Sequence, residues 1–92
     1  MQLVNDMRDE VLTILMEECA EVIVECSKII RFGNDGTALA KELGDLQALV
    51  DLAQRLDVVS YTDIDNQVPK KLEKLKMYSD LGELIDEIQS NG

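Results

Sequence analysis

Acidic residues recur at short spacing in two segments that are otherwise rich in aliphatic residues. The first segment, MEECAEVIVE, carries Glu17, Glu18 and Glu21, and the second, ELGD, carries Glu42 and Asp45. At about 100° per residue, residues three apart lie on the same side of a helix. Each segment therefore predicts a pair of carboxylates on one helix face.

The second acid pair falls on the apolar stripe of its helix. On a helical wheel Glu42 lies between Leu39 and Leu46, and Asp45 follows three residues later. Lys41 is predicted on the opposite side, as an ordinary solvated residue. Because burying an unpaired carboxylate is costly, acids in such positions are usually neutralised or hold a cation.

Four carboxylates that converge from two facing helices predict a metal site. The chain has no His, and ligand sets made only of oxygen suit a hard ion, so we expect Mg²⁺, with Mn²⁺ as the alternative. The competing explanation is that acid-rich helices are simply solvated faces, which is reasonable for a single residue such as Glu17 or Glu25. A solvated face explains less well why two acid pairs occur on helices that face each other.

Length and composition predict a small, helical, oligomeric protein. A domain of 92 residues is below the size at which one core is comfortably self-sufficient, so partner subunits are expected. The net charge of −10 argues against nucleic acid or an anionic membrane as a partner, because both are bound by positive fields. There is no apolar stretch of about 18 to 20 residues and no signal-peptide pattern in MQLVNDMRDE, so we expect a cytoplasmic protein.

The apolar periodicity predicts one all-α domain over residues 1–92. An antiparallel helical hairpin and one or two shorter helices would form a four-helix-bundle-type core, completed by oligomerisation. The first helix is predicted over about 5–32 and the second over about 37–56, separated by the turn GNDG and capped by Thr37.

The second half of the chain gives weaker local signals. We predict a loop over 57–64, because this β-branched segment has no second strand-like run to pair with. Pro69 is predicted near the start of a third helix, and Ser79 is predicted to cap a fourth. Cys19 and Cys26 are expected to be reduced, small core residues.

Taken together, EECAE and the later ELGD resemble the E-E-x-x-E, then E-x-x-D signature of MazG-like nucleotide pyrophosphohydrolases, which belong to the all-α NTP pyrophosphatase superfamily. The resemblance covers about residues 7–78. It implies an Mg²⁺-dependent hydrolase that splits a (d)NTP between the α- and β-phosphates, with water as the nucleophile, giving (d)NMP and pyrophosphate. Phosphoribosyl-ATP or a guanosine polyphosphate is the alternative substrate, and a non-catalytic acidic interaction protein is the alternative class.

The matched positions also imply which side chains carry the reaction. Glu17 and Glu18 would be the catalytic residues, and Glu17 would help with a further metal or with the attacking water. Lys28 shares a helix line with Glu21, so it either contacts phosphate or neutralises that acid. The implied partners are a nucleoside triphosphate and further copies of the chain, in a homodimer or homotetramer. The implied metal ligands are Glu18, Glu21, Glu42 and Asp45. The bases available for phosphate are Lys28, Arg31, Lys70, Lys71 and Lys74, and all but Lys70 are predicted to bind substrate.

Overall fold

The computed structural model of the protein describes residues 2–91, with side chains over residues 6–91; Met1 and Gly92, which the predicted domain includes, lie outside the described residues. The described chain is all-helical and contains no strand, which confirms the predicted fold class. No helix between residues 2 and 91 has both the length and the apolar character required to cross a membrane. The helices are α1 (Gln2–Phe32), α2 (Thr37–Arg55), α3 (Tyr61–Tyr78) and α4 (Gly82–Asn91).

The first two helices pack against each other as a hairpin. Gly33 follows α1 with a φ of +71°, a left-handed conformation that glycine adopts without strain, and its N–H donates to the carbonyl of Ile29 at 2.9 Å. At the other end, Arg8 Nη1 donates to the carbonyl of Leu56 at 3.5 Å. Because an early residue of α1 contacts the residue that follows α2, the two helices run antiparallel.

The start of α2 is stabilised by Asp35 and not by the predicted cap. Gly36 occupies the cap position, and Thr37 is the first helical residue, so the predicted Thr37 cap is wrong. Asp35 Oδ1 accepts a hydrogen bond from the backbone N–H of Thr37 at 3.0 Å, which lowers the pKa of Asp35. A carboxylate that accepts from the N–H two residues later is the usual Asx-turn arrangement.

Few side chains are fully covered. Among the described residues, Ala53 at 1% exposure and Ile85 at 3% are the buried apolar side chains. Cys19 and Cys26 are both exposed, so their predicted place in the core is wrong. Each of these cysteines follows a partly buried residue of α1, and one residue further along a helix is a rotation of about 100°, away from the packed face.

A boundary between Val59 and Ser60 separates the hairpin from a second compact unit, in which α3 packs on α4. The loop predicted over 57–64 is wrong in its second half, because α3 begins at Tyr61. Ser60 Oγ accepts a hydrogen bond from the N–H of Asp63 at 3.2 Å, which is the usual N-cap interaction. The β-branched character of the segment concealed this helix start.

Two further helix boundaries differ from the prediction. Pro69 lies inside α3 and not near its start. Ser79 ends α3 and does not cap α4: its N–H and its hydroxyl both donate to the carbonyl of Leu75, at 2.9 and 2.7 Å. The hydroxyl oxygen also accepts from the N–H of Leu81 at 3.2 Å, so α4 starts later than predicted, at Gly82.

Replacing Pro69 by alanine should stabilise the protein. Proline in a helix interior costs about 3 kcal/mol relative to alanine, and part of this gain is offset because alanine frees the unfolded chain, so the expected net gain is about 2 kcal/mol. Thermal and urea unfolding followed by circular dichroism would measure it. A lower melting temperature in Pro69→Ala would contradict a continuous α3 through this position.

Candidate metal centre

Three carboxylates meet where α1 packs on α2. Glu18 comes from α1, and Glu42 and Asp45 come from α2; each offers one oxygen, and these oxygens lie within 4.8 Å of one another. The spacing of three residues places the two acids of α2 on one side of the helix, and the antiparallel packing brings Glu18 opposite them. All three residues are partly buried. The arrangement is a compact, all-oxygen donor set.

Glu18 carries the least favourable environment of the three. Its Oε2 is buried and has no hydrogen-bond partner within the described part of the chain. The pKa of Glu18 is raised, first by burial and then by the negative charges of Asp45 and Glu42. This carboxylate therefore favours a proton, and a bound cation would relieve it in the same way.

A lysine partly neutralises the acids of α2. Lys41 Nζ lies 3.2 Å from Asp45 Oδ2 and 3.4 Å from Glu42 Oε1. The hydrogen bond with Asp45 is the main cause of the raised pKa of Lys41. Lys41 is therefore exposed to solvent, as predicted, but it is also the counter-ion of both acids of α2. Its long stem carries the ammonium sideways from a backbone position on the outer face.

The ion pairs of Lys41 are exposed and therefore weak. The Lys41 side chain is 72% exposed, and an ion pair of this kind gains little because water screens it and the flexible side chain must be held in place. The Glu42 side chain is only 14% exposed, so the carboxylate that Lys41 reaches on this side is itself largely shielded from solvent. A divalent ion can therefore compete for the same oxygens.

Glu25, a second acid on the packed face of α1, is neutralised by an ion pair with a lysine. It lies two helical turns from Glu18 and its side chain is 14% exposed, but it pairs with Lys28 at 3.3 Å. Lys28 therefore neutralises Glu25, whereas the sequence left Glu21 and a phosphate open as its partners. The contrast singles out Glu18, whose buried oxygen has no such partner.

The other predicted site residues lie outside the three-carboxylate cluster. Glu17 and Glu21 are exposed on α1, so the predicted inward position of Glu21 beside Glu18 is wrong. Arg31 lies over the ring of Phe32, with its guanidinium carbon 5.0 Å from the ring centre. Two of the predicted phosphate-binding bases are exposed on α3, in the second unit: Lys71 and Lys74.

Comparisons of the chain with protein-family models, with curated proteins and with solved structures gave no match. The MazG-like resemblance stays a prediction that rests on the two acidic segments. The candidate centre is therefore assessed from its own geometry: three grouped carboxylates, one buried oxygen without a partner among the described residues, and one exposed counter-ion.

Glu18→Gln should stabilise the metal-free protein at neutral pH. Because the folded-state pKa lies above the ordinary value of 4.5, Glu18 carries no ionisation penalty below that pH and the full penalty once the pH exceeds the folded pKa. The wild type should lose stability across this window as pH rises, and the variant should lose less. Urea unfolding from about pH 4 to about pH 7.5, with a chelator present, would measure the difference.

Glu10→Gln is the matched control for this substitution, since Glu10 is an exposed acid on the same helix. It should leave the slope of stability against pH close to that of the wild type. If Glu18→Gln lowers stability at neutral pH, or shifts it only as much as Glu10→Gln, the electrostatic cost assigned to Glu18 is wrong.

Proposed function

We propose that this protein is an Mg²⁺-dependent nucleoside triphosphate pyrophosphohydrolase, in which water cleaves a (d)NTP between the α- and β-phosphates to give (d)NMP and pyrophosphate. The observation that carries the proposal is the buried, unpartnered Oε2 of Glu18, which lies beside Glu42 and Asp45. The two acidic segments that resemble the MazG-like signature supply the reaction type.

The donor set fits a hard divalent cation. Mg²⁺ is usually held by one or two carboxylates at about 2.1 Å and completes its octahedron with water and substrate phosphate. Glu18, Glu42 and Asp45 provide carboxylate oxygens on two sides of one small space. Glu21 is proposed as a fourth ligand, one turn further along α1. Mn²⁺ accepts the same oxygen ligands and is the alternative ion.

A bound Mg²⁺ would supply charge neutralisation at the phosphates and would lower the pKa of a coordinated water. The chain supplies the rest. Glu17, exposed beside Glu18, is proposed to accept the proton of the attacking water. Lys41 borders an open depression that is also lined by Asn34, Asp35 and Thr37, and its ammonium is proposed to bind a phosphate oxygen there.

We also propose the homo-oligomer and the phosphate-binding residues that the sequence predicts. A homodimer or homotetramer would complete a four-helix-bundle-type core in the cytoplasm, which suits a chain with so few buried side chains. The proposed phosphate-binding residues are Lys28, Arg31, Lys71 and Lys74. Phosphoribosyl-ATP and guanosine polyphosphates are the alternative substrates of the same site.

One observation favours a different class. Because Lys41 already pairs with Glu42 and Asp45, two of the three acids have a counter-ion without any metal. An acidic helical interaction protein would need no more than this. It would be indifferent to Mg²⁺, which separates the two candidates.

The wild type should be stabilised by Mg²⁺ and should release pyrophosphate, and Glu42→Gln should lose both properties. At a free Mg²⁺ concentration of about 100 times Kd, the stabilisation is about 2.7 kcal/mol. Removing a charged ligand should lower turnover by at least about 100-fold. Without metal, Glu42→Gln should be as stable as the wild type or more stable, because a charge that repels Glu18 is gone.

The assay is pyrophosphate release from a panel of standard and modified nucleoside triphosphates, with Mg²⁺ and with chelator, beside thermal unfolding in the same buffers. Glu10→Gln should behave as the wild type. If Mg²⁺ stabilises the protein but no triphosphate is cleaved, phosphoribosyl-ATP and guanosine polyphosphates are the next substrates. If Mg²⁺ changes neither stability nor turnover, the interaction protein is the better proposal.

Lys41→Met should weaken the metal-free protein and strengthen metal binding. The variant loses the ammonium that partly neutralises Asp45. Because this ion pair is exposed, the melting temperature in chelator should fall only slightly, whereas Mn²⁺ no longer competes with Lys41 and its Kd should decrease. Calorimetric titration with Mn²⁺ measures this. Lys70→Met, at an exposed lysine of α3, is the control. An unchanged Kd would show that Lys41 does not compete with the cation.

A further inference from the structure

The Lys41 side chain lies beside two neighbouring parts of the hairpin. Its ammonium is 3.2 Å from Asp45 Oδ2 and 3.4 Å from Glu42 Oε1, and both of these acids belong to the three-carboxylate cluster. Lys41 also lines a depression of about 480 Å³ at the start of α2, together with Thr37 and Ala38. One flexible side chain therefore borders both the candidate metal centre and the depression next to it.

The backbone of α2 directs the Lys41 side chain toward the depression. Side chains of a helix lean toward its N-terminus, over the residues three and four positions earlier, which here are Ala38 and Thr37. The ammonium instead contacts Asp45, four residues later. A pair with the base before the acid is the less favourable order on a helix, and solvent weakens it further because the Lys41 side chain is 72% exposed. Little free energy therefore holds Lys41 at the acids.

A divalent cation at the acids would displace the Lys41 ammonium. Mg²⁺ lies about 2.1 Å from each oxygen that binds it, so the ammonium at its present position would be close to two more positive charges. Repulsion between like charges at such a separation outweighs an exposed ion pair, which contributes little. The metal also gains the buried Oε2 of Glu18, which has no hydrogen-bond partner in the described part of the chain. The cluster therefore favours the metal ion over the lysine.

The depression suits an anion only when Lys41 turns toward it. Gly36 provides no side-chain hydrogen bond to the first turn of α2, so backbone N–H groups beyond Thr37 are available as donors. Asp35 also lines the depression, and its negative charge repels an anion. Among the lining residues, Lys41 is the cation that can offset this charge. An anion therefore binds there better when the ammonium has left the acids.

We propose that Lys41 couples the two places: a metal ion bound by the acids releases the ammonium, which then binds a phosphate group of the nucleotide in the depression. The inference rests on the proposed function and adds to it an order of binding, in which the metal precedes the phosphate. Because such coupling is reciprocal, phosphate should tighten the binding of Mg²⁺ by the same factor by which Mg²⁺ tightens the binding of phosphate.

The first test measures the binding of inorganic phosphate to the wild type and to Lys41→Met, in the full chain. Phosphate is titrated with saturating Mg²⁺ and, separately, with chelator, and binding is followed by phosphorus NMR. With Mg²⁺ the dissociation constant for phosphate should be about 10-fold higher in the variant, since one charge-assisted hydrogen bond is lost. With chelator it should differ by less than about 2-fold, because the acids then hold Lys41 in the wild type.

Arg55→Met is the matched control for this substitution. Arg55 also lies on α2 and forms an exposed ion pair with an acid four residues away, Asp51, at 2.9 Å. The variant removes the same charge as Lys41→Met and should keep the Mg²⁺-dependent affinity for phosphate. Lys41→Arg retains the charge and should restore most of the affinity that Lys41→Met loses.

The second test uses the wild type, so it does not depend on how a variant folds. In protein labelled with ¹⁵N-lysine, the ammonium signal of Lys41 should shift when Mg²⁺ is added and shift again when phosphate follows. Phosphate without Mg²⁺ should leave the signal in place. Lys76 is the internal reference, because it pairs at 2.9 Å with Asp86, which lies outside the acid cluster.

The results separate this coupling from the function on which it rests. An equal loss of phosphate affinity in Lys41→Met with Mg²⁺ and with chelator would overturn the coupling, and so would a Mg²⁺-loaded wild type that binds no phosphate. If Mg²⁺ nevertheless stabilises the protein and a triphosphate is cleaved, the proposed function stands without the coupling. If Mg²⁺ changes neither stability nor turnover, both proposals are wrong.

Discussion

The contact that constrains this molecule most is the approach of like charges across the α1–α2 hairpin. Glu18 occupies a packed face of α1, and the residues it meets on α2 are Glu42 and Asp45. An apolar side chain at position 18 would give a continuous seam and a more stable hairpin. The arrangement instead places three partly buried acids where α1 packs on α2. The free energy of unfolding that is lost at this point must be offset by contacts elsewhere in the structure.

The hairpin itself has little surplus stability to offset this cost. Ala53 is its fully covered apolar residue among those described, and many large apolar side chains of α1 remain exposed. A small helical chain gains most of its stability from burying such faces. The proposed metal would relieve the acids, and the proposed homo-oligomer would cover exposed apolar side chains of α1 such as Ile23 and Ile30.

Sequence periodicity predicted the helices and brought Glu18 and the acids of α2 to the same side of the hairpin, because both results depend only on backbone geometry. The periodicity did not predict contacts that depend on the reach of a side chain or on a single side-chain hydrogen bond. Lys41 was placed by its Cα position, but its ammonium reaches Asp45. Asp35 and Ser60 stabilise helix starts through single hydrogen bonds that periodicity does not register. The exposure of the cysteines also follows from which of two adjacent apolar faces α2 covers, and composition cannot choose between them.

Lys41 reduces the repulsion among the three acids when no metal ion is bound. A flexible ammonium on the surface pairs with the two acids of α2, which are neighbours on its own helix, at small entropic cost and with small gain. It does not pair with the buried Oε2 of Glu18, on the opposite helix. A single positive charge at the edge therefore neutralises the cluster in part, and only an ion placed between the helices can contact all three carboxylates. Lys41 is thus a weak counter-ion of the folded chain, whereas the proposed chemistry requires a metal ion between the two helices.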